Sequence, residues 1–183
     1  MDKRLPIFIL VGGFGTRLQS VLKKRPKPMA SVNSKPFLEY LLLWLKKQSY
    51  TQVTLLTHYL GSHIQDYFGS GKKWGLSIDY VFEESPLGTG GAVKNALNQK
   101  NHRDKFLLLN GDSFVEADLD RFVKEADPFD GGIILSRQAD TSRFGRVQFC
   151  ESKFLTSFQE KEASLGPGHI NAGVYLLGPS CLS

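Results

Sequence analysis

The chain has 183 residues, of which 41% are hydrophobic and 22% are charged, and its formal net charge is +5. This composition excludes a disordered chain, and the length suits one ordinary globular domain with a sizeable core. The longest apolar segment, residues 37–45, is much shorter than the roughly 18 apolar residues of a membrane span, so we expect no membrane partner.

The N-terminus, the basic residues and the cysteines set expectations about location and partners. The chain starts without the small-residue cleavage site of a signal peptide, so we expect a cytoplasmic protein. Its basic residues are scattered except at 23–27, which favours local phosphate binding over a nucleic-acid partner. Cys150 and Cys181 have neither metal-site nor disulfide-framework spacing, and we interpret them as free buried thiols. The oligomeric state cannot be read from these features.

A glycine-rich loop follows the first predicted strand. Residues 6–11 form a continuous apolar run, typical of a strand buried on both faces, and the loop 12–18 reads G-G-F-G-T-R-L. Glycines can bring backbone N–H groups close to an anion, and Arg17 adds a permanent cation. The loop matches neither the P-loop nor the dinucleotide pattern. It therefore indicates a phosphate site of another kind, with an ordinary glycine turn as the alternative.

Helices and strands alternate through most of the chain. The patterns predict helices at 34–49, 61–68, 93–98 and 118–126, and strands at 52–57, 77–82, 105–110 and 131–136. From residue 143 onward, short extended segments are predicted at 144–149, 154–161 and 169–175. This order predicts an α/β fold with a doubly wound, mostly parallel, Rossmann-like sheet and a mixed or antiparallel edge.

Two further stretches carry candidate chemistry. Residues 83–92 place three glycines between a strand and a helix, where a ligand can approach the backbone, although a plain connector is the alternative. Asp112 follows the strand at 105–110 and is the candidate Mg²⁺ ligand, with a turn-capping role as the alternative. His58 and His63 flank a loop and are interpreted as polar loop residues without a catalytic role.

The motifs together resemble those of the sugar-1-phosphate nucleotidyltransferase family over essentially the whole chain. They are G-G-x-G-T-R-L followed by K-P, E-x-P-L-G-T-G-G-A, N-G-D, and F-x-E-K followed by N-A-G-V-Y, in the family's order. The segments 25–30, 35–40, 86–92 and 110–112 are most similar to the D-glycero-α-D-manno-heptose 1-phosphate guanylyltransferase group. The resemblance implies two substrates, a nucleoside triphosphate and a sugar 1-phosphate, with Mg²⁺ as cofactor and GTP and a heptose favoured.

The resemblance also implies roles for individual residues. The catalytic set is Arg17 for the leaving pyrophosphate, Lys27 for the phosphates near the reacting centre, Asp112 for the metal and Lys161 for the sugar phosphate. The nucleotide-binding set is Leu10, Gly12, Gly13, Gly15, Thr16, Arg17, Lys27, Pro86, Gly88 and Thr89. The sugar-binding set is Gly145, Glu160, Lys161, Asn171 and Gly173.

The same comparison leaves some questions of function open. Uridylyl or thymidylyl transfer to a hexose 1-phosphate is one alternative, and a non-catalytic module that binds a nucleotide or sugar phosphate is another. Members of the family continue beyond the N-A-G-V-Y strand and supply a second aspartate to the metal site. We therefore expect residues 1–183 to be one nucleotidyltransferase domain that is truncated at its C-terminus.

Overall fold

Ten strands and four helices are found in the described part of the protein. The structure is a computed structural model and describes residues 5–13, 25–58, 60–159 and 166–182. The strands are β1 (Ile7–Leu10), β2 (Ser31–Val32), β3 (Lys35–Pro36), β4 (Gln52–Thr57), β5 (Ser77–Phe82), β6 (Phe106–Asn110), β7 (Gly131–Gln138), β8 (Arg146–Phe149), β9 (Leu155–Gln159) and β10 (Gly168–Leu177). The helices are α1 (Phe37–Lys47), α2 (Gly61–Phe68), α3 (Gly88–Gln99) and α4 (Leu119–Ala126). Short 3₁₀ turns span Lys27–Met29, Lys72–Trp74 and Pro179–Leu182.

The central sheet combines a parallel part with an antiparallel edge. Strands β5, β4, β1 and β6 pair in this order, and all three pairings are parallel. Strand β10 pairs antiparallel with β6, with β7 and with β8, and β9 pairs with β8. The predicted α/β fold with a parallel sheet and an antiparallel edge is confirmed.

Helices cover both faces of the parallel strands, as the apolar run of β1 predicts. Ile7 and Ile9 belong to a core cluster that also contains residues of α1, α2 and α4. Phe8, between them in the sequence, belongs to a second cluster with residues of α3. Because neighbouring side chains of a strand point to opposite faces, a strand covered on both faces must be apolar at every position.

The start of α1 differs from the sequence prediction, which placed it near Ser34. Residues 31–36 instead form a hairpin, with Val32 paired to Lys35. Its two turn residues, Asn33 and Ser34, have φ values of 46° and 67°. A two-residue hairpin turn with positive φ at both central residues matches the twist of the flanking strands. The helix therefore begins only at Phe37.

The start of α3 also differs from the sequence prediction, but this helix begins earlier than predicted. The helix begins at Gly88 rather than at Val93, so the three glycines of the second loop lie in its first turns. Glycine has a low intrinsic helix propensity, which made the sequence prediction too short. Packing outweighs that propensity, because Ala92, Val93 and Ala96 are buried in the core beneath the helix.

The prediction of buried thiols is wrong for both cysteines. Cys150 is half-buried in the turn between β8 and β9, and Cys181 is exposed in the 3₁₀ turn Pro179–Leu182. Cys181 Sγ donates a hydrogen bond of 3.2 Å to the carbonyl oxygen of Asp130. A thiol in a turn has no packed layer above it, so its type alone does not determine its burial.

Candidate active site

A cavity of about 450 Å³ lies at the carboxyl ends of the parallel strands. Strand β1 lies between β4 and β6. The chain passes from β1 to β4 through α1 and from β5 to β6 through α3, and these two helices cover opposite faces of the sheet. Ligands of open α/β sheets bind outside the strand ends at such a point. The described lining residues are Leu10, Val11, Gly12, Gly13, Lys27, Pro28, His58, Glu83, Pro86, Gly88, Thr89, Ala92, Asn110 and Asp112.

The cavity brings together all of the described residues that the sequence assigned to catalysis or nucleotide binding. Those lining it are Leu10, Gly12, Gly13, Lys27, Pro86, Gly88, Thr89 and Asp112. The remaining members of these two sets, Gly15, Thr16, Arg17 and Lys161, lie outside the described residues. One cavity thus joins segments that are more than 80 residues apart in the chain.

Glycines allow the ends of neighbouring strands to approach each other closely beside the cavity. A Cβ atom added to Gly12 would lie 3.0 Å from the backbone nitrogen of His58. A Cβ atom on Gly111 would lie 2.6 Å from Val11 Cγ1 and 2.7 Å from the carbonyl oxygen of Leu10. Neither glycine has a positive φ value. Close approach of backbones, rather than a left-handed conformation, is therefore the reason for glycine at these two positions.

Lys27 and Asp112 form an ion pair at the cavity. Lys27 Nζ lies 2.5 Å from Asp112 Oδ2, although the two residues are 85 positions apart. Lys27 begins the 3₁₀ turn Lys27–Met29, and Asp112 follows β6, so the fold alone brings them together. Their side chains are 39% and 37% exposed, so both charges remain accessible to a ligand.

The surroundings of Asp112 fit a magnesium ion that is held mainly by water and phosphate. Ser113 Oγ donates a 3.3 Å hydrogen bond to Asp112 Oδ1. In the described part of the chain, no three His, Cys, Asp or Glu residues cluster as metal ligands would. Mg²⁺ is commonly bound through one or two carboxylates, with water and substrate phosphates as its other ligands. A single aspartate therefore fits this ion, provided that water and substrate phosphates complete its ligands.

The second glycine loop forms another wall of the cavity. Glu83 Oε2 accepts a 3.2 Å hydrogen bond from the backbone N–H of Leu87, which fixes the turn that leads into α3. Gly88 and Thr89 begin this 12-residue helix and line the cavity. No side chain caps the N-terminus of the helix. Its backbone N–H groups and its dipole favour an anionic ligand at this end.

His58 and Glu83 line the cavity although sequence reasoning did not select them as site residues. His58 follows β4 and Glu83 follows β5, and His58 Nδ1 lies 2.9 Å from the carbonyl oxygen of Glu83. The one signal that could have selected them is their position, because each is the first residue after a parallel strand that ends at the cavity. Their residue types alone are equally typical of ordinary loops.

The described members of the predicted sugar-binding set, Gly145, Asn171 and Gly173, do not line this cavity. Gly173 contacts the turn that carries Asp112, since an added Cβ would lie 3.0 Å from Asn110 Nδ2. Asn171 is exposed and precedes it in β10. Gly145 lies beside β9, with its Cβ position 3.2 Å from the carbonyl oxygen of Gln159. Glu160 and Lys161 lie outside the described residues.

Comparison with known proteins connects this geometry to a family. The model of the nucleotidyl transferase family matches residues 7–183. Among the described residues, no helix has the length and apolar character needed to cross a membrane.

Curated relatives of high similarity are guanylyltransferases. The D-glycero-α-D-manno-heptose 1-phosphate guanylyltransferase of Campylobacter jejuni is 41% identical over 169 residues, which are 92% of this chain and 74% of the relative. The enzyme of the same name from Aneurinibacillus thermoaerophilus is 39% identical over 170 residues, covering 92% of this chain and 72% of the relative.

A solved structure has the same fold. The crystal structure of HddC from Yersinia pseudotuberculosis complexed with GMP-PN aligns with a TM-score of 0.88 at 33% identity. The alignment covers 98% of this chain and 79% of HddC.

Proposed function

Because the chain belongs to the nucleotidyl transferase family, we propose that it transfers a guanylyl group from GTP to D-glycero-α-D-manno-heptose 1-phosphate. The observation that carries the proposal is the Lys27–Asp112 pair at the cavity at the carboxyl ends of the parallel strands. The proposal treats residues 1–183 as one nucleotidyltransferase domain. It places the reaction in the cytoplasm, since the proposed donor is a nucleoside triphosphate.

The proposed reaction is an in-line substitution at phosphorus. A phosphate oxygen of the sugar 1-phosphate forms a bond to the α-phosphorus of GTP, and the bond from that phosphorus to the bridging oxygen of pyrophosphate breaks. The products are a guanosine diphosphate sugar and pyrophosphate. The attacking phosphate is already an anion at neutral pH, so no general base is required. The protein's task is to position the two substrates and to stabilise negative charge.

Lys27 and Asp112 have complementary tasks in this reaction. Lys27 lines the cavity. There its ammonium group would lie beside the reacting phosphates and offset charge that builds up in the transition state. Asp112 is the residue that would hold Mg²⁺, which supplies further positive charge to the phosphate oxygens when it is bound. By the family resemblance, Arg17 and Lys161 contribute two further cations, for the leaving pyrophosphate and the incoming sugar phosphate. The N-terminus of α3 adds partial positive charge to the same cavity.

The choice of GTP is supported by the carboxylates of the cavity. Guanine presents two adjacent donors, N1–H and the N2 amino group, which a carboxylate can accept together. Among the described lining residues, the carboxylates are those of Glu83 and Asp112, and Asp112 is paired with Lys27. Glu83 is therefore the residue that we propose to accept from guanine.

Pyrophosphate release tests the proposal directly. The protein would be incubated with Mg²⁺, each ribonucleoside triphosphate or dTTP, and candidate sugar 1-phosphates including the heptose. We expect release that is selective for GTP with the heptose 1-phosphate. Asp112→Asn should lower the rate on the order of 10²-fold or more, because it removes the charge that holds the metal.

Asp79→Asn is the matched control for the aspartate variant. Asp79 also pairs with a lysine on the surface, at 2.6 Å from Lys100 Nζ, but it does not line the cavity. It should leave the rate unchanged. Release with UTP or dTTP and a hexose 1-phosphate would replace the proposal with uridylyl or thymidylyl transfer. Saturable GTP binding without release from any pair would indicate a module that binds without catalysis.

A further inference from the structure

A bulge in β10 lies beside the turn that carries Asp112. The pairing of β10 with β7 shifts register between Asn171 and Tyr175. Gly173 lies within this shift and has a φ value of 79°. On the other side of β10, pairing with β6 starts at Val174, which lies opposite Leu109. The bulge is thus next to the point at which the chain leaves β6 for Asp112.

Gly173 packs against both ends of that turn. A Cβ atom added to Gly173 would lie 3.0 Å from Asn110 Nδ2, 3.1 Å from Asn110 Cβ and 3.1 Å from Ser113 Cβ. The turn is tight, because the backbone N–H of Ser113 points back to the carbonyl oxygen of Asn110 at 3.4 Å. Any movement of the bulge toward the turn would therefore shift Asp112, which lies between these two residues.

Asn171 fixes the shape of the bulge. Its Oδ1 accepts a 2.8 Å hydrogen bond from the backbone N–H of Gly173. Its Nδ2 donates a 2.6 Å hydrogen bond to the hydroxyl of Tyr175, on the far side of the bulge. The Asn171 side chain is therefore hydrogen-bonded to one residue within the bulge, Gly173, and to one beyond it, Tyr175. A bulge of this kind is a means of aiming neighbouring groups at a site.

We propose that Gly173 is a positioning residue: the β10 bulge, held by Asn171, sets the turn 110–113 so that Asp112 meets Lys27 and a metal ion. The family resemblance assigns Gly173 to sugar binding, and the contacts that a Cβ at Gly173 would make with Asn110 and Ser113 support this additional role. The metal part rests on the proposed function. The proposed placement of the turn 110–113 is independent of that function, because the Lys27–Asp112 pair is a feature of the fold itself.

Two glycine variants distinguish the effect of a Cβ pressing on the turn 110–113 from the effect of backbone strain alone. Gly173→Ala introduces a Cβ at a positive φ and against Asn110 and Ser113. Gly69→Ala also introduces a Cβ at a positive φ, of 50°, but no heavy atom lies within 4 Å of it. Both substitutions strain the backbone, and only the first also presses on the turn. Gly69 is the C-cap residue that follows α2, and it does not line the cavity, so its variant is the matched control.

The readout is the amide NMR spectrum during titration with Mn²⁺, with GTP present, alongside the kinetic constants. In the unaltered protein, we expect Mn²⁺ to broaden the amide signals of residues 111–113. Gly173→Ala should move the signals of 110–113 before any metal is added and should raise the Mn²⁺ concentration for broadening. The kcat should fall, with little change in the KM for GTP. The expected loss in metal affinity or kcat is on the order of 10-fold to 100-fold, as for residues that orient a metal ligand.

Asn171→Ala is the second variant, because it loosens the bulge without adding volume. It should move the same signals and lower kcat in the same direction. If Gly173→Ala behaves like Gly69→Ala, the positioning role is overturned. A raised KM for the sugar phosphate in Asn171→Ala, with signals 110–113 unmoved, also overturns it and favours direct sugar contact.

Failure of the proposed guanylyl transfer would give results that differ from failure of the positioning role. If the unaltered protein neither releases pyrophosphate nor shows Mn²⁺ broadening, the metal and transfer roles fail. The signals of 110–113 in the metal-free Gly173→Ala protein still decide whether the bulge positions the turn.

Discussion

At the scale of single residues, Glu83 offers a test of base choice. Glu83→Gln keeps an oxygen for the Leu87 N–H but replaces one acceptor with an amide donor, which opposes the donors of guanine. We expect the preference for GTP over UTP in kcat/KM to fall about 10-fold to 100-fold, the range for one bidentate base contact. Initial rates with each nucleotide at fixed sugar phosphate measure this ratio.

Glu84→Gln is the control for that substitution. Glu84 is the adjacent carboxylate, and it is exposed and does not line the cavity. The variant makes the same chemical change one position away and should keep the preference for GTP. An unchanged preference in Glu83→Gln would mean that other groups read the base.

The sequence was informative about single site residues where a motif marked them. Lys27, Gly88 and Asp112 lie in recognisable segments, and the structure brings all three to one cavity. The contact between Lys27 and Asp112 could not be predicted, because it depends on the order of strands in the sheet rather than on local sequence. The same holds for His58, whose place beside the cavity follows from the position of β4 next to β1.

At the scale of elements, a buried carboxylate connects α1 with its neighbours. Glu39 is only 5% exposed. It accepts a 2.9 Å hydrogen bond from the Tyr67 hydroxyl of α2, and its other oxygen lies 3.1 Å from Lys35 Nζ. Burial alone raises the pKa of Glu39, but hydrogen bonds from Lys35, Tyr67 and Trp74 and the charge of Lys35 outweigh it, so its pKa is lowered. The ionised form therefore stabilises the contact of these elements.

This lowered pKa predicts a pH dependence of stability. A group whose pKa is lower in the folded protein stabilises it above the unfolded pKa of about 4.3, and the contribution is lost as pH falls through the folded pKa. Glu39→Gln should flatten the stability profile in that acidic window. At neutral pH it should lower the free energy of unfolding on the order of 1–3 kcal/mol. Urea unfolding between neutral pH and the acid limit measures both effects.

Glu125→Gln is the matched control for Glu39→Gln. Glu125 also pairs with a basic residue four positions away, Arg121, at 2.9 Å, and this pair also lowers its pKa. Its side chain is 54% exposed, however, so solvent screens the pair. The control should leave stability nearly unchanged. Equal effects of the two substitutions would show that the buried position of Glu39 adds nothing.

Most elements could be predicted from local patterns, and the errors have two causes. The hairpin at 31–36 was missed because its strands are two residues long and carry no apolar alternation. The early start of α3 was missed because three glycines contradict a helix locally, whereas the core beneath Ala92 and Val93 favours it. In α3, tertiary packing outweighs the low helix propensity of glycine, whereas the hairpin at 31–36 follows from its two-residue turn with positive φ values.

At the scale of the whole molecule, the two parts of the sheet differ in how they are covered. Both faces of the parallel part contact helices. In the antiparallel part, Gly132 contacts Ala126 and Phe122 of α4 on one face. A groove of about 1030 Å³ borders this part of the sheet and is lined by residues of α4, β7, β8, β9 and β10 and their connections. The extended segments were predicted from sequence, but the residues that line the groove were not, because local patterns do not reveal which elements pack on a sheet.

The groove is apolar and partly exposed to solvent. Phe154 and Phe158 line it and are 56% and 62% exposed. Phe154 packs edge-on against Phe129, with 5.5 Å between ring centroids. Contiguous exposed apolar surface of this kind promotes association and binds hydrophobic dyes. The structure therefore predicts dye binding and concentration-dependent association by this chain.

Phe158→Ser tests that expectation, because Phe158 is the most exposed aromatic side chain among the groove residues. The variant should bind less of the dye 8-anilinonaphthalene-1-sulfonate and should scatter less light as protein concentration rises. Phe144→Ser is the control, since Phe144 is 43% exposed but does not line the groove. Equal dye emission from the unaltered protein and from Phe158→Ser would mean that the groove is closed in solution. Because the groove and the cavity share no lining residue, the pyrophosphate release of Phe158→Ser should match that of the unaltered protein.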